Sequence, residues 1–183
     1  MEQLLKLTKM EHIMLILDFM IEYQKANNIT RQCLTNSQYL YDCLTKNKVG
    51  KKVVAKPVIV ISWNYADEGE NIKNWNIVSN HMVIVLTTEE NKEMVIECSH
   101  EIASMENKMY FDNVKSLMEN CSDKESKKKI MENLNLEAFV DFIKTAEMMN
   151  NDKLVIACEK KYEAQADYVH EEMRKLKECP SVY

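Results

Sequence analysis

The chain has 183 residues, an apolar share of 46% and a formal net charge of -5 with both signs interspersed, so one domain can bury a core without disulfide staples. That charge argues against nucleic acid as a main partner, and no apolar run is long enough to span a membrane. With only Gly50 and Gly69, the chain lacks the clustered glycines of a GxGxxG turn, a phosphate-cradling P-loop or a GxSxG elbow.

The opening stretch, MEQLLKLTKMEHIMLILDFM, is interrupted by Lys6, Lys9, Glu11 and His12 and has no small-residue cleavage site, so it reads as a helix rather than a signal peptide. Without a signal, the six cysteines are expected to be reduced thiols in the cytoplasm, and none falls into CxxC. The first helix is expected over residues 3–25, apolar on more than one face, with a break at Asn27-Asn28. Thr30 then suits an N-cap for a helix over 31–46. On that helix Cys33, Leu34, Ser37, Leu40, Tyr41 and Leu44 share a face, which puts Cys33 in the first turn on the core side.

From residue 52 the period changes. KVVAKPVIVIS is a β-branched run expected to be a strand, with Pro57 at an edge or bulge. A polar loop follows over 64–76; Trp63, Tyr65 and Trp75 flank it and either line a substrate groove or cover a sheet edge. A hairpin, NHMVIVLTTEENKEMVIECS, occupies 80–99, and an extended piece is expected near 108–111. Helices are expected over 112–119, 124–149 with a break at 133–135, and 152–177; Ser122, Asp123, Asn151 and Asp152 suit caps. Their dense Glu and Lys content reads as a solvated face. The order implies an α+β domain spanning 1–183, with an antiparallel-sheet core over 1–111 and a helical extension over 112–178 packed on it.

The hairpin opens on His81 and closes on Glu97, polar ends on an otherwise apolar unit. A two-residue loop at Glu90-Asn91 would set His81 opposite His100 and separate it from Glu97. An odd loop of three or five residues centred on Glu89 sets His81 opposite Glu97. The odd loop also collects Met82, Ile84, Leu86, Met94, Ile96 and Cys98 on one apolar face, so burial favours it.

Cys33 completes a set of residue types. A thiol in the first turn of a helix lies near N–H groups without intrahelical acceptors, a setting that favours the thiolate. An imidazole can take its proton, and a carboxylate on the other ring nitrogen fixes the tautomer. Cys33, His81 and Glu97 are candidates for those roles.

The pieces TRQCLTNSQYLYDCL, NHMVIVL and VIECS, in that order, resemble the transglutaminase-like superfamily of papain-like cysteine enzymes. The resemblance covers roughly residues 30–99 and departs from the family at three points. Glu97 stands where Asp is usual, Arg31 and Gln32 precede the cysteine where a glycine is often found, and nothing after Asp112 matches. It implies a papain-like core with Cys33 as nucleophile, His81 as general base and acid, and Glu97 as the orienting carboxylate. The implied activity is a cysteine hydrolase or acyltransferase working on an amide bond of a protein or peptide, without cofactor or metal. Gln32 and Asn36 lie near the nucleophile, but neither is assigned as the second oxyanion donor.

The competing expectation is a non-catalytic interaction module whose helical tail docks a partner or forms a homodimer. Cys98, His100 and Cys121 form an irregularly spaced metal candidate of lower rank, and His12 and His170 have no assigned role.

Overall fold

The computed structural model describes residues 8–63, 76–121 and 124–150, together with 167–169, 171, 172, 174 and 175. In chain order, α1 (Lys9–Ala26) and α2 (Cys33–Lys46) precede β1 (Lys52–Trp63) and β2 (Asn76–Thr87). Next come β3 (Glu93–Ile96), a short α3 (His100–Ala103) and β4 (Asn107–Phe111), then α4 (Val114–Glu119), α5 (Lys124–Asn133) and α6 (Leu136–Asn150). The strands form one sheet in the order β3-β2-β1-β4, antiparallel at β2–β3 and at β1–β4. The class is α+β.

Of the expected final helix, residues 167–169, 171, 172, 174 and 175 are helical. Its remainder, the caps at Ser122, Asp123, Asn151 and Asp152, and the side chains of Trp63, Tyr65 and Trp75 lie outside the described residues. So does His170.

The chain divides into two compact units, Met1–Lys56 with Met82–Ser104 and Pro57–His81 with Met105–Tyr183. The division runs through β1 and β2 rather than between residues 111 and 112, so part of the sheet groups with the later helices.

In the first unit α1 packs against α2 and α3. Its start is a capping box: the Thr8 hydroxyl accepts the Glu11 N–H, and the Glu11 carboxylate accepts the Thr8 N–H at 2.6 Å. It stops where expected, because Asn28 takes a left-handed φ of 50°. The Asn28 and Ile29 N–H groups then turn back to the carbonyls of Lys25 and Gln24. The same device ends α2, with Lys48 at φ 51° and the Val49 N–H on the Leu44 carbonyl. Helix α2 begins two residues later than expected, with Gln32 rather than Thr30 as N-cap. The cause is Arg31, whose φ of 57° is left-handed and whose N–H donates to the Glu101 carboxylate at 2.7 Å. Gly50 is required: at φ +67° a Cβ there would stand 2.5 Å from the Thr87 carbonyl oxygen.

The second unit has an apolar core in which Ile59 and Ile61 of β1 meet Phe111, Val114, Leu117, Met118, Ile130 and Phe139. The β1–β4 ladder covers Ile59–Trp63, which leaves Pro57 outside it, consistent with a residue that cannot donate to a neighbour. Asn113 caps α4 by accepting the Ser116 N–H, and Asn135 caps α6 by accepting the Ala138 N–H, which fixes the break between α5 and α6. Exposed Lys115–Glu119 and Lys128–Glu132 pairs at 3.8 and 3.9 Å line the solvent side, each worth a few tenths of a kcal/mol, about 0.3–0.5.

Candidate functional site

The hairpin loop is odd, but it is centred one residue later than expected. Thr88 donates to the Lys92 carbonyl at 2.8 Å and its own carbonyl accepts the Asn91 N–H at 3.0 Å, which leaves a three-residue loop of Glu89, Glu90 and Asn91. Asn91 supplies the left-handed residue at φ 62° that such loops need. Ile84 therefore faces Ile96, and Val85 faces Val95. Continued one step past β3, this register brings Glu97 beside Val83 rather than His81, a shift of two positions. The parity is unchanged, so Met82, Ile84, Leu86, Ile96 and Cys98 still share a face, and all five are buried. Met94, on the same face at the loop end, is exposed.

The three candidates occupy different settings. Cys33 is the first residue of α2 and is buried. Its N-cap, Gln32, makes no side-chain cap bond. In any helix the first-turn N–H groups have no intrahelical acceptors and point out of the helix end. Glu97 is half-buried just beyond β3, and its Oε1 accepts the Ser99 N–H at 2.9 Å. His81 lies in β2, 2% exposed, and belongs to the second unit, whereas Cys33 and Glu97 belong to the first.

Cys98 is a neighbour of this set, within electrostatic reach of Glu97 and Cys33, but is unsuited to nucleophilic work. Burial, reinforced by the negative charge of Glu97, pushes its thiol up to about 12. Its Sγ lies 3.9 Å from the Ile96 carbonyl. Among the described residues no group of three His, Cys, Asp or Glu side chains could hold a metal ion, the set of Cys98, His100 and Cys121 included.

Three ties in the first unit went unforeseen. The buried Gln24 amide donates from Nε2 to the Cys98 carbonyl and accepts the His100 N–H on Oε1, both at 3.0 Å. Ser37 donates from Oγ to the Met82 carbonyl at 3.1 Å, which fastens α2 to β2 one helical turn beyond Cys33. Glu101 holds the Arg31 N–H just ahead of α2. Gln24 did leave a sequence signal, because it shares a helix face with Ile13 and Leu17, an odd place for an amide unless it has backbone partners.

A groove of about 430 Å³ opens beside the start of α2, with Phe19, Met20, Tyr23 and Ile29 as apolar walls and Gln24, Gln32 and Asn36 as polar ones. The two residues next to Cys33 that the sequence left unassigned, Gln32 and Asn36, thus line one groove. The Asn36 amide nitrogen is buried and has no hydrogen-bond partner. An amide donor at the mouth of a helix N-terminus is suited to a carbonyl oxygen.

Comparison with family models, curated proteins and solved structures gives no match to this chain.

Proposed function

We propose that this chain is a transglutaminase-like cysteine hydrolase or acyltransferase that acts on an amide bond, with Cys33 as its nucleophile. The observation that carries the reading is the position of Cys33 at the first residue of α2, directly after Gln32, which with Asn36 lines a groove. The thiolate sulfur adds to the amide carbonyl, and the oxygen that becomes anionic is met by first-turn N–H groups of α2. In the role that the resemblance gives His81, the imidazole accepts the thiol proton and returns it to the departing amine as the C–N bond breaks, leaving a thioester on Cys33. Water or a second amine then attacks the thioester, which releases acid or new amide and restores the thiol. Glu97 is the carboxylate to which the resemblance gives the role of orienting that imidazole.

Rapid alkylation by iodoacetamide below neutral pH tests the proposal. Cys33 is expected to react well ahead of the other five cysteines in the sequence, His81→Ala to slow that reaction, and Cys33→Ala to abolish it. Slow, uniform labelling of all six would overturn it.

A further inference from the structure

Helix α1 carries an apolar face that, among the described residues, no core element covers. Leu15, Phe19 and Tyr23, spaced four apart, are 55%, 70% and 55% exposed, and the last two rings stack with centroids 6.2 Å apart. Tyr39 of α2 stands 53% exposed across a second groove of about 510 Å³, walled also by His12, Leu15 and Ile16. Both grooves share Phe19 and Met20, so they form one trough along α1. From His12 to Tyr23 it runs roughly 16 Å, or about three helical turns.

One flank of this trough is charged. At 100° per residue, Glu11, Asp18 and Glu22 all fall within about 60° of Leu15, on the side away from α2. All three are exposed. Lys25, 4.0 Å from Glu22, is the cation on that flank. Lys9 points elsewhere and donates to the Asn47 carbonyl.

We propose that this face docks an amphipathic helix of a partner protein, about three turns long, whose apolar stripe fills the trough and whose Lys or Arg flank meets Glu11, Asp18 and Glu22. Leu15, Phe19 and Tyr23 form the ridge over which the partner's side chains interdigitate. The flat rings of Phe19, Tyr23 and Tyr39 supply contact area at low entropic cost. The docked helix would share with the proposed substrate the groove lined by Gln32 and Asn36, but its binding does not need Cys33 to be reactive.

The probe is a synthetic fourteen-residue peptide with leucines at helical spacing and lysines along one flank, titrated into the full chain by fluorescence anisotropy. The lysine peptide is expected to bind one to one, and a glutamate-flanked version about tenfold more weakly. Phe19→Asp is expected to cost about tenfold or more with the fold intact by circular dichroism, because Phe19 is exposed. The double variant Asp18→Lys, Glu22→Lys is expected to reverse the peptides' order. Equal binding of a scrambled peptide, or an order unchanged in the double variant, would overturn the proposal. So would a dimer in sedimentation that Phe19→Asp makes monomeric, since the occupant would then be a second copy. Binding to anionic vesicles without peptide binding would reassign the face to a lipid surface.

Discussion

Helices α1 and α6 are both rich in apolar residues and put them to opposite uses. In α6 the buried positions are Phe139, Val140, Ile143 and Ala146, one stripe at helical spacing with charged residues behind it. In α1, eighteen residues long, only Ile13, Leu17 and Gln24 are buried, and Leu15, Phe19 and Tyr23 face outward. Most of the apolar surface of α6 goes into the core it helps to build, with Met148 at 71% exposure the exception, whereas Leu15, Phe19 and Tyr23 of α1 all stay exposed. A helix's hydrophobicity and its burial are separate properties, and the difference between them marks a surface available for recognition.

Mutations can sharpen or break this contrast. Phe139→Ala in the apolar core is expected to cost about 4 kcal/mol in urea denaturation, from lost burial and the cavity it leaves. Gln24→Leu is expected to cost about 3 kcal/mol, because the Cys98 carbonyl and the His100 N–H lose their partner together. Phe19→Ser is expected to change stability by no more than about 0.5 kcal/mol while weakening the lysine peptide. A loss for Phe19→Ser comparable with that for Phe139→Ala would show that α1 packs its outer face after all, and the contrast would fall.

Much of the element order was legible. The β-branched run at β1, the asparagines at 27, 28, 133 and 135, and the first-turn placement of Cys33 all carried through, because each rests on local chemistry. Errors arose where a distant group intervened. Arg31 is left-handed with its N–H held by Glu101, seventy positions away, so α2 could not begin at Arg31 with Thr30 as its N-cap. The hairpin erred by one residue in its centre. Counting apolar faces fixes only parity, whereas the centre depends on which residue accepts a left-handed φ, and in TTEENK that residue is Asn91. The one-residue error moved Glu97 two positions along β2. The capping box at Thr8 and Glu11 went unread, because the helix was expected from residue 3, although a Thr followed three residues later by Glu is its pattern. Gln24 was legible only as an oddity, since an amide on a buried helix face does not announce which backbone it will bind.

That amide has a consequence for how position 24 can vary. It donates to the carbonyl of one residue and accepts from the N–H two residues on, the pair of bonds that a neighbouring strand would offer. One side chain thus acts as a single rung of sheet, guiding the chain past the end of β3 without any strand beside it. Asparagine is a methylene shorter, and glutamate, when ionised, has nothing to donate to the Cys98 carbonyl. The rung is written in a vocabulary of one amino acid.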